Sequence, residues 1–239
     1  MSELAKLSGL LQGPLIWLPA TLAVYAAATA LWSRHGKAPI LNPTMLSIAA
    51  IGLGLLLSGV PCSTYLDGVA ILNYALGTAV VALAIPLHRH VHLLQGRSLK
   101  LAAALFAGSI TSVVLVLIIA KLAGAAPQTI LSIAPKSATA AVSIEIARTI
   151  GGLPGLTAAV TILTGIMTAV LAPYLLDLFG VKAAETRGLA LGVAGHGIAT
   201  ARAFSESEVA GSFASIGTAL NASLTAALVP LAVAALGLL

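Results

Sequence analysis

Apolar runs about as long as a bilayer is thick follow one another along this chain, with short polar loops between them. Residues 101–122 carry one charged side chain, Lys121, and residues 156–179 carry one, Asp177, each near the end of its run. A spanning helix needs about 20 mostly apolar residues, so each run is long enough to cross a membrane. Comparable runs cover 14–32, 43–60, 69–87 and 209–238. Only 8% of all residues are charged and 59% are hydrophobic, whereas a soluble domain typically carries about 25% charged residues. Too few charges remain to cover a soluble surface, and the bilayer must act as solvent. The expected fold is an all-α polytopic membrane protein, one transmembrane domain over residues 1–239. It has about six full transmembrane helices plus two interrupted or re-entrant segments, 129–150 and 188–203.

Aromatics are scarce while Ala, Gly and Leu abound, which suits helices that approach closely in lipid. The run 14–32 is too long for a signal-peptide core and has a single basic residue, Lys6, before it. It reads as a retained first transmembrane helix. The single cysteine, Cys62, excludes an intrachain disulfide and reads as a small packing residue near a segment end. The net charge of +5 is better explained by basic cytoplasmic loops than by nucleic-acid binding, since no basic stripe with interleaved aromatics is present.

Basic residues collect after the first run (Arg34, Lys37), after the third (Arg89, Arg97, Lys100) and near Lys182 and Arg187. The positive-inside rule places those loops in the cytoplasm and the N-terminus outside. This order works if 129–150 enters and leaves from the outside and 188–203 from the inside, two opposed interruptions of a kind common in transporters. The alternative has both segments crossing fully as broken helices, with Lys182 outside. No sequence repeat is visible, and an inverted structural repeat would leave only a weak trace.

Ionisable groups inside apolar sequence are the candidate chemistry, because a charge at bilayer depth costs at least ~2.5–3.5 kcal/mol and usually faces a wet cavity. At Pro135-Lys136-Ser137 the proline removes a backbone donor and disfavours helix before it. A break there exposes the N-terminus of the following half-helix, which attracts anions. Lys136, with the hydroxyls of Ser137, Thr139 and Ser143, would suit a small carboxylate. The competing reading is a lysine snorkelling to the interface. Glu145 and Arg148 are spaced to pair on one helix, and the simpler reading is mutual neutralisation. The alternative makes Glu145 a proton carrier for coupled transport. Gly195-His196-Gly197 sets an imidazole between two residues that permit unwound backbone or close packing. His196 would bind substrate or relay a proton, with Thr200 one turn on and Arg202 able to meet an anion bidentately. The competing reading is a packing histidine and an interfacial arginine.

Asn42-Pro43 and Thr78 with Pro86 interrupt the second and third runs and are candidates to line a cavity. His88-Arg89-His90-Val91-His92 has chelating spacing but no carboxylate or cysteine beside it, and reads as a basic cap. No phosphate-binding loop, zincin helix, nucleophile elbow or cysteine pair is present. The expectation is a protein that is not an enzyme and needs no cofactor or metal.

The run Pro135-Lys-Ser-Ala-Thr139, then Ile150-Gly-Gly-Leu-Pro-Gly155, Arg187-Gly-Leu-Ala190 and His196 through Thr200-Ala-Arg-Ala203, resembles the LrgB/CidB family. Leu41-Asn-Pro43 and Val80-Val-Ala-Leu-Ala-Ile-Pro86-Leu87 resemble it too, so the likeness covers nearly the whole chain. The chain departs from the family's usual pattern after Ser137, where it reads Ala-Thr-Ala-Ala, and at His88, where a tyrosine is typical. The resemblance implies a multi-pass protein of the bacterial cytoplasmic (inner) membrane. It implies one of two functions. The first is transport of small 2-hydroxy or 2-keto monocarboxylates of the glycolate, glycerate, pyruvate and lactate class, for which the two interrupted segments themselves suggest alternating access, with proton or sodium coupling. The second is a holin-like or antiholin-like role in murein hydrolase export and cell lysis. It further implies a small LrgA/CidA-type membrane partner and a homo-oligomer, a dimer in the simplest case.

Overall fold

The computed structural model describes residues 16–36, 38–72, 74, 75, 78 and 98–237. Pro86, the His88–His92 run and Arg97 lie outside the described residues. The chain divides into two compact units, Met1–Leu83 and Ala84–Leu239. The described residues form helices, short turns and no strand.

The first unit contains α1 (Trp17–Arg34), a 3-10 turn (Pro39–Leu41), α2 (Pro43–Ser58) and α3 (Cys62–Gly68). Asn42 starts α2 as its N-cap, with Oδ1 accepting from the N–H groups of Thr44 (2.9 Å) and Met45 (3.2 Å), and Pro43 fills the next position, where a missing N–H costs nothing. Asn42-Pro43 is therefore a helix start, a local structural use of the pair expected to interrupt the second run. Trp17 stacks edge-on against Tyr65, with ring centroids 5.6 Å apart, and so ties α3 to α1. Cys62 is exposed at the first position of α3. It is not the packing residue its size suggested, because its helix begins in the turn before the third apolar run.

The second unit contains α4 (Ser98–Leu122), α5 (Pro127–Ile133), α6 (Ala140–Thr149), α7 (Pro154–Leu178), α8 (Ala184–Glu206) and α9 (Glu208–Ala235). Among the described residues, three helices are long and apolar enough to cross a membrane, spanning Leu99–Leu122, Pro154–Leu178 and Glu208–Ala235. Pro43–Ser58 is a shorter apolar helix. Helix α7 shows what its surroundings are. Its buried face is Thr157, Thr161, Gly165, Ala169 and Pro173, four residues apart, with Ile166 beside them, while Leu163, Met167, Leu171 and Leu175 are exposed at the same spacing. Small and polar side chains inside, large apolar ones outside, is the reverse of a soluble helix and fits packing in lipid. The chain is a helical membrane protein.

Both polar segments double back. A straight helix would part residues 187 and 206 by roughly 28 Å, yet Arg187 Nε donates to Glu206 Oε2 at 2.9 Å. The fold-back occurs at Gly195 and His196, where the dihedrals leave the helical region and His196 has φ 44° and ψ −142°. The two halves of α8 therefore run side by side. The first half lies against α9 so closely that a Cβ on Gly188 or Gly192 would overlap the backbone of Ala210 or Ala214. Likewise the N–H of Leu153, beyond the end of α6, donates to Ser132 Oγ at 2.7 Å near the end of α5, and Thr157 Oγ1 donates to the Ser132 carbonyl at 2.8 Å. The tip of this second hairpin is the turn 134–139.

The two hairpins open at opposite ends of α7. Thr157, in its first turn, holds the mouth of the α5–α6 hairpin. Asp177, in its last turn, accepts from Arg187 Nη1 at 2.6 Å at the mouth of α8. Those two residues are separated by roughly 30 Å of helix, so the hairpin tips meet near its middle.

Candidate functional site

The tip of the α5–α6 hairpin is a tight turn in which the N–H of Lys136 donates to the Ile133 carbonyl (3.2 Å) and that of Ala138 to Pro135 (3.0 Å). The helix ends at Ile133, before Pro135, and Ala134 caps it while still in the right-handed helical region. Pro135 is fully buried, and its carbonyl also accepts from Ser143 Oγ at 2.7 Å. Lys136 is half-buried. Its Nζ reaches Ser137 Oγ at 3.5 Å and meets no carboxylate at ion-pair distance among the described residues. It lines a cavity of about 470 Å³ between α4, α7 and α8, with the hydroxyls of Ser112, Thr164, Thr168 and Thr186 and the small walls of Gly108 and Ala190.

The second tip packs around His196, which is buried. The Thr161 carbonyl, 2.9 Å from Nε2, can only accept, so Nε2 carries the proton. A Cβ on Gly165 would stand 2.7 Å from Cε1 of that ring, so only glycine leaves room for the imidazole. Thr200 Oγ1, with one hydrogen to donate, lies within bonding distance of the His196 carbonyl (2.8 Å) and of Thr218 Oγ1 (2.7 Å). Just before the break, Thr218 Oγ1 (3.2 Å) and Asn221 Nδ2 (3.1 Å) donate to the Gly192 and Val193 carbonyls.

Asn221 reaches both tips. Its Nδ2 also donates to the Ser137 carbonyl at 2.7 Å, while Ser109 Oγ on α4 donates to its Oδ1 at 2.6 Å. Ser137 Oγ in turn shares a short hydrogen bond with Ser112 Oγ.

The structure thus brings Lys136 and Ser137 to one tip and His196 and Thr200 to the other. It places the remaining expected site residues elsewhere. Thr139 is the N-cap of α6 with no side-chain cap bond, and Ser143 spends its hydroxyl on Pro135. Glu145 forms an ion pair with Arg148, both well exposed, in a separate shallow pocket with Thr149 and Pro230. Arg202 lies near the mouth of α8, 3.8 Å from Glu206, and its Nη1 reaches Ser205 Oγ at 3.5 Å. Gly195 packs against Thr168, whereas Gly197 has open space beside it. Thr78 is exposed and bonds the Ala75 carbonyl at 2.7 Å. Ser109, Ser112, Thr164, Thr168, Thr218 and Asn221 were not singled out from the sequence. Their signal is spacing: Thr218, Asn221 and Thr225 stand at i, i+3 and i+7 in an apolar run, and Thr157, Thr161, Thr164 and Thr168 at i, i+4, i+7 and i+11.

The sequence model of the LrgB-like family matches residues 21–235. The chain belongs to that family. It is 32% identical over 210 residues to a holin-like protein CidB of Staphylococcus epidermidis, covering 88% of this chain and 91% of that one. It is 30% identical over 216 residues to the holin-like protein CidB of Staphylococcus aureus, covering 90% and 94%. It is 32% identical over 213 residues to the uncharacterized protein YxaC of Bacillus subtilis, covering 89% and 92%. The family match runs through both hairpins and includes every residue of the two tips. No solved structure matches this chain.

Proposed function

We propose that this protein carries small monocarboxylates of the 2-hydroxy and 2-oxo acid class across a bacterial cytoplasmic membrane. The observation that carries the reading is Lys136, a cation with no carboxylate partner among the described residues, at the wall of a cavity of about 470 Å³. A charge at depth without a counter-ion is costly unless water or an anion answers it. One lysine balances one carboxylate, and the surrounding hydroxyls can bond a neighbouring hydroxyl or keto oxygen. At roughly 30 Å³ per water, the volume holds a two- or three-carbon acid together with about ten waters. In this reading the two hairpins are re-entrant from opposite membrane faces, and alternating access proceeds around their tips. Lys136 and Ser137 hold the carboxylate, and His196 and Thr200 form the facing half. Proton coupling falls to His196 rather than to the exposed Glu145. Arg202 acts near the cytoplasmic mouth. Six full crossings, a dimeric state and sodium as an alternative coupling ion belong to the same proposal.

A second reading is favoured by the names of the staphylococcal relatives, which are holin-like. Here the protein works beside a small LrgA/CidA-type partner in controlling murein hydrolase export and lysis. Those names support this reading more directly than they support any substrate. Uptake of radiolabelled glycolate and pyruvate into proteoliposomes separates the two. Saturable uptake in the wild type, lost in Lys136→Ala, supports the carrier. Abrupt release of large trapped dyes without selective uptake supports the holin-like role.

A further inference from the structure

Asn221 stands on α9, fully buried, with both amide hydrogens and its carbonyl oxygen engaged. Its two acceptors are unusual in where they come from. The Ser137 carbonyl belongs to the tip of the α5–α6 hairpin, and the Val193 carbonyl lies two residues before the break in α8. Both are main-chain oxygens beside a helix interruption, the sort of group that must find another donor when it cannot find water. One side chain supplies that donor to both, and Ser109 fixes its orientation so that the NH₂ and not the oxygen faces the tips.

We infer that Asn221 is the positioning residue of the site: it locks the Lys136 turn and the His196 break together, so that the two halves form and dissolve as one unit. The inference rests on the carrier reading only for its transport consequence; the link between the tips stands apart from it. Asp at position 221 has the same size, but ionised it donates to neither carbonyl and protonated it has one hydrogen, so it cannot serve both at once. In Asn221→Asp the tips lose their common partner while every other contact of α9 remains.

The test is hydrogen–deuterium exchange by mass spectrometry on the reconstituted full chain. In Asn221→Asp, peptides covering 134–139 and 194–198 should both exchange about 10-fold faster or more, the loss expected for buried hydrogen bonds to main chain. Residues 143–149 of α6 should keep wild-type protection. Ser109→Ala, a milder change that covers the case of an Asn221 variant that does not fold, should loosen the same two segments together and to a smaller degree. Loosening of one segment without the other, or of neither, overturns the link. In transport, Asn221→Asp should raise the apparent KM for glycolate several-fold with Lys136 in place, because the competent site is present for only a fraction of the time. An unchanged KM in a variant whose tips have loosened overturns the positioning role. Absence of saturable uptake in the wild type removes the carrier reading, and the exchange result still decides whether Asn221 joins the two tips.

Discussion

Lys136 shows how one residue can be placed by what surrounds it. Its charge has hydroxyls and small walls around it and no carboxylate at ion-pair distance among the described residues. Replacing it with Ala should remove at least ~90% of saturable uptake, since a charge-assisted hydrogen bond is worth about 1.5–3 kcal/mol; initial rates in proteoliposomes check this. His196 is a different case. Its positive φ is one that a side chain adopts only at a cost of about 1–3 kcal/mol. His196→Gly loses the bond to the Thr161 carbonyl but relieves that strain, whereas His196→Ala loses the bond and keeps the strain. His196→Ala should therefore be the less stable of the two by roughly 1 kcal/mol, readable as a lower Tm in detergent.

At the scale of elements, α8 and α9 depend on two kinds of contact. Gly188 and Gly192 let the backbones touch, and no flexible side chain stands opposite that could yield to a larger residue. Gly192→Leu should cost about 3 kcal/mol or more, because the helices must separate; thermal unfolding measures it. The mouth of α8 is closed by Arg187, which bonds Glu206 through Nε and Nη2 and Asp177 through Nη1. Arg187→Ala leaves a mostly buried Glu206 without that partner and should cost about 2–4 kcal/mol. Faster exchange should be confined to residues 184–190 and 203–206. Polar contacts of this kind hold the hairpins because interior hydroxyls and amides have no water to compete for them. Ser109, Ser132, Ser143, Thr157 and Thr200 are all buried.

For the whole molecule the issue is whether the tips guard a selective path or belong to a pore. A cavity beside Lys136, next to two hairpins that are each held at their own mouth by hydrogen bonds, predicts graded flux of two- and three-carbon acids. Trapped dyes of several hundred daltons should be retained at protein-to-lipid ratios where uptake is saturable. Loss of the dye at the same ratios would favour the holin-like role. The exposed apolar stripe on α7 requires a bilayer or detergent for either assay.

Much of this was legible along the chain. Low charge and long apolar runs determined a helical membrane protein. Pro135 and the Gly-flanked His196 marked both interruptions, because breaking a helix is a local act of proline and glycine. The pairing of Glu145 with Arg148 was legible for the same reason, being three residues apart on one helix. The charge pattern offered two opposed, doubled-back segments beside full crossing, and the tertiary structure decided between them; it also decided that Arg202 sits near a mouth and not a tip. It alone brought Ser109, Ser137, Val193 and Asn221 together. Those residues lie from 28 to 112 positions apart, and a hydrogen bond across such a distance leaves no periodic trace in sequence. It is set by how helices pack, and that depends on all their faces at once.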